Sequence, residues 1–452
     1  MVSLLFALLS LLLYVFAPVD YSLAYNWIIL SLFVINFVRI ARGKSYKLLS
    51  YTTVFFVVFF FVNFAYPVFI YPYDPLFILQ FRYSFSPEYI NSGSALCLLA
   101  FSLYLCGYEL RAKPYPNYNF IIRQRVYELF HAVTFCVLLY NLYLVIPQWG
   151  VNYGDASVPF QSASLFVMLE CTLTTIICFT KKDALRGNVN AFFKVLRFHI
   201  VVSIIFCITF LILGSREYVL VLSLLYVLLF TLFVRPIGFI KLFVALIVAL
   251  TFFYFVSERR NNADTDGSLF SRKAWQAESV SGAWNLATDL IINNRNVYVG
   301  MQYANDPAHG FTYGVNYIPN LLSPVPFLPS LFTYTFLGVP PVECTSQQIL
   351  TNYTRDELGH RDLYYELGTN SVVDIYMGFG VCGVVIMFFL LGFFVKKLEV
   401  SLNDNAIAFS VYAILFTTVI FFCRSSFFGP FRNMIWAFLI CCLMFRMYRK
   451  VV

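Results

Sequence analysis

Residues 198–236 read FHIVVSIIFCITFLILGSREYVLVLSLLYVLLFTLFVRP. Two apolar runs, 198–213 and 217–234, stand on either side of Gly214-Ser215-Arg216-Glu217, and Arg235 and Lys241 follow the second. Each run approaches the roughly 20 apolar residues that carry a helix across a bilayer. The stretch therefore predicts two membrane helices joined by a very short turn. Basic residues collect on the cytoplasmic side of such helices, so Arg235 and Lys241 mark the inner end and Arg216 the outer one.

The pattern extends in both directions. Further runs at about 3–17, 24–40, 48–70, 92–108, 126–146, 161–179, 238–256, 372–395, 406–422 and 434–447 bring the total to about twelve. A basic cluster follows every second run: Arg39, Arg42, Lys44 and Lys47, then Arg111, Lys113, Arg123 and Arg125, then Lys181, Lys182, Arg186, Lys194 and Arg197. Lys396 and Lys397, and finally Arg446, Arg449 and Lys450, continue the alternation. Both termini are expected in the cytoplasm. The first run has no basic residue before it and no small-residue cleavage pattern, so it reads as a retained helix and not as a signal peptide.

Composition agrees with this reading. The chain is 60% hydrophobic and 12% charged, against about 25% charged residues in a soluble domain, which excludes a water-soluble enzyme. Its 52 Phe, 32 Tyr and 5 Trp suit lipid-facing surfaces, membrane interfaces and sugar-stacking walls. The net charge of +8 is accounted for by the inner clusters, so nucleic acid is not an expected partner. The 11 cysteines lie almost all in apolar runs without metal-ligand spacing and read as small core residues. Cys344 and Cys423 alone fall near water on one side, which leaves a disulfide between them open as the lesser alternative to two core thiols.

From Ser257 to Ser371 there is no spanning run, and this segment is expected on the outer side. The predicted architecture is an all-α polytopic membrane protein: a bundle over 1–256, a mostly helical outer domain over 257–371 and a second bundle over 372–452. Within the outer domain, Arg272 to Arg295 has apolar residues at roughly helical spacing and predicts an amphipathic helix on the membrane face. Pro319, Pro324, Pro326, Pro329, Pro340 and Pro341 predict an extended or turn-rich stretch, and Thr345 to Tyr353 a short capped helix.

The outer face is rich in arginine. Arg216, Arg259, Arg260, Arg272, Arg295, Arg355, Arg361, Arg424 and Arg432 all fall there. A guanidinium offers a planar fork of donors matched to phosphate and is costly at membrane depth unless paired. Arg216, Arg259, Arg260, Arg272, Arg361 and Arg424 are therefore candidates for holding the pyrophosphate of a lipid headgroup; interface anchoring, or pairing of Arg216 with Glu217 and of Arg361 with Asp362, is the alternative. His360 and Glu366 stand just before the tenth run and its Asp374, where either would deprotonate a sugar hydroxyl as general base; a solvated or hydrogen-bonded loop residue is the plainer reading. His309 is a weaker candidate. Glu170 lies inside an apolar run, where an ionisable group is a functional hypothesis, or else is protonated or paired with a hydroxyl or arginine in the bundle. His131 and His199 read as structural. No nucleotide-binding, dinucleotide-binding, zinc-protease or serine-hydrolase motif is present, so neither cofactor nor metal is expected and a lipid-activated donor is favoured.

Taken together, Gly214-Ser215-Arg216, the late outer loop, Tyr317-Ile318-Pro319, and Gly368-Thr369-Asn370-Ser371 followed by Asp374-Ile375-Tyr376, Phe379-Gly380 and Gly383 resemble the bacterial O-antigen polymerase (Wzy) family and the related O-antigen ligases. The resemblance covers nearly the whole chain as architecture and is loose as motif. His360 and Gly368, with seven residues between them, resemble a histidine–glycine spacing of that family's outer loop, whereas the companion arginine–glycine spacing is one residue short at Arg272 and Gly282. The resemblance implies a GT-C-like, metal-independent glycosyltransferase of the bacterial inner membrane. It would transfer a growing glycan from undecaprenyl pyrophosphate onto the non-reducing end of a lipid-linked repeat unit at the periplasmic face. Asn370 joins the arginines as an implied substrate contact, with membrane lipids and a chain-length regulator protein as expected partners. The alternatives are an O-antigen ligase or other lipid-linked glycan transferase, and a lipid-linked oligosaccharide flippase, which would be expected to hold its cations in a cavity between two similar halves.

Overall fold

The computed structural model describes residues 2–43, 49–77, 79–116, 118–148, 159–213, 215–238, 241, 284, 287–363 and 366–449. The expected run 238–256 and most of the expected amphipathic segment from Arg272 lie outside them. Single turns aside, the helices are α1 (Val2–Val15), α2 (Leu23–Ala41), α3 (Tyr51–Asn63) and α4 (Tyr89–Glu109), then, after strand β1 (Tyr118–Ile122), α5 (Gln124–Val145), α6 (Phe160–Thr180), α7 (Val189–Ile212) and α8 (Glu217–Phe233). The late part holds α9 (Asn294–Asn305), α10 (Ile318–Leu322), α11 (Leu328–Phe336), α12 (Ser346–Asn352), α13 (Ser371–Ser401), α14 (Ala406–Thr417), α15 (Val419–Cys423), α16 (Phe431–Met444) and strand β2 (Phe445–Arg449). Among the described residues, six helices are long and apolar enough to cross a membrane: α2, α4, α5 with its 3-10 extension to Gln148, α6, α7 and α13. Five apolar helices, α1, α3, α8, α14 and α16, match expected runs but have 10–17 residues.

Polar residues at the helix starts fix where the apolar runs begin. Ser22, Ser50, Asn188, Thr345 and Asn405 each accept a hydrogen bond from a first-turn amide through the side chain, satisfying a donor that the helix leaves orphaned. The cap at Thr345 confirms the short helix expected there. Prolines 319 and 329 depart from the extended reading, because each occupies the first turn of a short helix, α10 and α11. Proline is tolerated there since the amide it lacks has no intrahelical partner. The other departure is at the C-terminal end: α16 stops at Met444, and β2 pairs antiparallel with β1 from Tyr118↔Arg449 to Ile122↔Phe445. The aromatic and β-branched Tyr-Asn-Phe-Ile-Ile of β1 favours a strand, and Phe-Arg-Met-Tyr-Arg supplies its partner.

The chain splits into two compact units. The first comprises Met1–Lys113, Ser279–Lys397 and Val419–Arg432, so the described part of the expected outer domain packs in the same unit as the first four helices. Its core is aromatic: Phe33 lies 4.4 Å from Phe101 and 4.6 Å from both Phe56 and Phe64, centroid to centroid. Buried polar side chains join helices within it, Asn26 to Asn91 at 2.8 Å and Ser10 to Ser102 at 3.1 Å, each such bond worth about 0.6 kcal/mol in a membrane bundle. Helices α4 and α13 meet backbone to backbone. A Cβ on Gly107 would come within 2.0 Å of the Phe389 carbonyl oxygen, and one on Gly392 within 1.9 Å of that of Tyr104, so both positions require glycine.

The second unit comprises Pro114–Glu278, Leu398–Thr418 and Asn433–Val452. It holds α5 to α8, α14, α16 and the β1–β2 ribbon. Thr175 on α6 and Ser410 on α14 share a buried hydrogen bond of 3.0 Å. All 11 cysteines are free, and Cys344 and Cys423 are both buried thiols, so the alternative of a disulfide is not formed. Cys344 sits against the Pro340 carbonyl, 3.9 Å away, and burial raises its thiol above the ordinary range.

Candidate functional site

Helix α13 is broken at Phe379 (φ −142°, ψ 21°) and Gly380 (φ 60°, ψ −151°). Only glycine adopts the second conformation readily, and a Cβ there would also meet the Phe311 ring at 3.0 Å. A break inside an apolar helix leaves backbone carbonyls without their helical partners, and in a low-dielectric setting these must be satisfied otherwise. The Thr312 amide donates to the Met377 carbonyl at 2.8 Å, and the Tyr317 hydroxyl donates to those of Ile375 and Asp374 at 2.9 and 3.2 Å. Burial, reinforced by the Asp374 charge, raises the Tyr317 phenol well above its ordinary range, so it remains a donor. Gly378 makes the approach feasible: a Cβ there would fall 1.9 Å from the phenol oxygen.

Asp374, one turn before the break, is fully buried. Its carboxylate accepts from the Ser346 hydroxyl, from Asn316 Nδ2 at 3.1 Å, from the Ser426 hydroxyl at 2.9 Å and from the Phe427 amide at 2.8 Å. Four donors from three separate segments therefore converge on one carboxylate, and every one is neutral. Asn370 lies just before, also buried; its amide donates to Asn63 Oδ1 at 2.9 Å and its oxygen accepts from the Val372 amide at 2.9 Å. Asn294 donates to the Asn63 backbone carbonyl at 2.9 Å, so α3, α9 and the start of α13 are tied through one asparagine. Both hydrogen-bonding ends of Asn370 are thus engaged within the protein, which makes it a structural residue in this arrangement.

His360 and Arg295 meet at Ser84. The Ser84 amide donates to His360 Nε2 at 2.7 Å, and its hydroxyl lies 2.8 Å from the same nitrogen. A ring nitrogen that accepts from an amide carries no proton, which assigns the Nδ1–H tautomer. Arg295, fully buried on α9, donates to the carbonyls of Tyr83 and Ser84 at 3.1 and 2.9 Å and reaches the Thr354 hydroxyl at 3.5 Å. The Ser84–His360 contact also brings the exposed cations Arg82 and Arg361 into one neighbourhood, since each is within two residues of it and a residue spans at most about 3.6 Å.

The remaining candidates are scattered. Glu366 is exposed and accepts from the Gln347 amide. Arg424 donates to the Asp289 carbonyl at 3.1 Å and covers the Phe421 ring at 5.1 Å. Arg216 is half-buried at the start of α8 and belongs to the second unit, whereas His360, Glu366, Arg361, Asn370 and Arg424 belong to the first. Arg259, Arg260 and Arg272 lie outside the described residues. Sequence reasoning missed Asn63, Ser84 and Asn316, uncharged residues whose partners lie far away in the chain. The only local signal was the polarity of Asn63 within the otherwise apolar run 48–70.

The second unit has its own buried centre. Glu170 on α6 is fully buried, and His199 Nδ1 on α7 lies 3.0 and 3.1 Å from its two oxygens. Thr174 at 3.1 Å, and Ser203 and Tyr226 each at 3.3 Å, also donate to Oε1. The carboxylate is thus paired inside the bundle, through hydroxyls as expected but with an imidazole in place of an arginine. His199 holds α7 to α6.

Compared with family models, curated proteins and solved structures, the chain matches none.

Proposed function

We propose that the protein is a membrane glycosyltransferase of the O-antigen polymerase type, with about twelve spans, a GT-C-like bundle and both termini in the cytoplasm of a bacterial inner membrane. It transfers a growing glycan from undecaprenyl pyrophosphate to the non-reducing end of a lipid-linked repeat unit at the periplasmic face. The observation that supports this reading most is the convergence on Asp374. The segment Tyr317-Ile318-Pro319 is remote in the sequence from Asn370 to Asp374 and Phe379-Gly380, and these segments, which carry the resemblance, meet there around a broken apolar helix. Discontinuous helices are a recurrent way of building a polar binding site at membrane depth.

The chemistry asked of the site is modest, because the donor's leaving group is already a pyrophosphate. An acceptor sugar displaces both Ser84 contacts from His360 Nε2, which frees that nitrogen's single lone pair to take the proton of the attacking hydroxyl. Glu366 is the second candidate base. The exposed guanidinium groups of Arg361 and Arg82, which belong to the same unit as His360, hold the pyrophosphate charge as it is released, with Arg424 of that unit as a further candidate. The transfer itself uses no nucleotide or metal, and a chain-length regulator is its proposed partner.

Deletion of the gene tests the reading. The expected surface lipid carries a single repeat unit in place of a ladder, restored by the wild-type chain and not by His360→Ala at equal membrane level. Loss of every repeat unit, including the first, would instead indicate a ligase or a flippase.

A further inference from the structure

Asp306, His309 and Glu357 each bring one ligand atom into a group in which all three atoms lie within 4.8 Å of one another. We propose that these residues form a binding site for a divalent transition-metal ion, with Zn2+ the best match.

The local structure aims the ligands. Asp306 follows the last residue of α9, and its carbonyl accepts from the amides of both His309 and Gly310 at 3.0 Å, closing a tight turn. Its Oδ1 accepts from the Ala308 amide at 2.9 Å, which fixes the carboxylate. The His309 ring stacks on Tyr303 at 4.6 Å and 19° and meets Tyr353 edge-on at 5.4 Å, so the imidazole is held in one plane. Its Nε2 reaches Glu357 Oε2 at 2.7 Å, with side chains 23% and 45% exposed. Glu357 closes the π-turn Tyr353–Glu357.

The donor set selects the ion. Two carboxylates cancel a divalent charge, and a neutral imidazole disfavours Ca2+ and Mg2+, which take oxygen ligands. Three protein ligands around Zn2+ leave a fourth position for water. Metal binding replaces the His309–Glu357 hydrogen bond, releasing any proton held between the two groups, so these two ligand atoms part from 2.7 Å to admit the ion, a small adjustment of partly exposed side chains. The ion then clamps the C-terminal end of α9 to the π-turn. The inference does not rest on the transferase reading.

The test uses the full-length protein in detergent, stripped by chelation, equilibrated with Zn2+ and assayed for metal per chain after gel filtration. One Zn2+ per chain is expected. Asp306→Asn, His309→Ala and Glu357→Gln should each weaken binding more than about 100-fold, beyond the range of outer-shell changes. Glu343→Gln, an exposed residue outside the group, should leave it unchanged. Co2+ in place of Zn2+ should give no thiolate charge-transfer bands. Absence of saturable binding, binding that survives all three substitutions, or a thiolate spectrum would overturn the proposal; if one variant aggregates, the other two decide.

Discussion

Asp374 draws hydrogen bonds from Ser346, Asn316, Ser426 and the Phe427 amide while fully buried. Removing the carboxylate leaves three of the four donors without an acceptor, since Asn316 also donates to the Ser346 hydroxyl and the Asp374 carbonyl, and a buried unsatisfied group costs about 1–3 kcal/mol. Asp374→Ala should therefore lower the thermal midpoint of the detergent-solubilised protein sharply, and Asp374→Asn, which keeps one acceptor oxygen, less so. Equal midpoints for Asp374→Ala and wild type would show that these donors find other partners. The sequence exposes part of this site: Asp374, Asn370 and Tyr317 stand in the segments that carry the resemblance, and His360 stands close before Asn370 and Asp374. Ser84, which orients His360, is 276 residues away from it, and nothing in its local sequence distinguishes it from any loop serine. His309 stood out in the sequence only as a weaker candidate base, and Glu357, 48 residues beyond it, joins it only through the fold.

Helix α13 was legible as an apolar run and not as a broken one, since Gly380 is one of many glycines in apolar segments and only its φ of 60° distinguishes it. The short helices α10 and α11 were hidden for the opposite reason, because proline density argues against helix although a first-turn proline supports one. Strand β2 was hidden by its length: five residues at the end of an apolar run carry no period of their own. Helices α6 and α7 are joined by Glu170 and His199, the first conspicuous in an apolar run and the second not. Glu170→Ala leaves buried donors on His199, Ser203 and Tyr226, and breaking such a pair from one side costs about 3–5 kcal/mol. The double replacement Glu170→Leu with His199→Leu removes both polar partners, so it should unfold at a temperature above that of Glu170→Ala. A double variant no more stable than the single one would show that the two residues are not coupled.

At the scale of the molecule, hydropathy and composition carried most of the fold class, because apolar runs and polar caps are local properties. The interleaving of the units was not legible: Ser279–Lys397 packs with Met1–Lys113 through contacts among uncharged polar residues such as Asn63 and Asn294, whose pairing no linear pattern encodes. The central claim is that this chain by itself joins lipid-linked repeat units. Its most direct test is reconstitution of the purified protein in liposomes with undecaprenyl-pyrophosphate-linked repeat units as the only substrate, followed by analysis of the lipid-linked glycans. The account predicts dimers and longer chains, with undecaprenyl pyrophosphate released for each bond formed and no nucleotide sugar required; repeat units that remain single, whether or not they cross the bilayer, would contradict it.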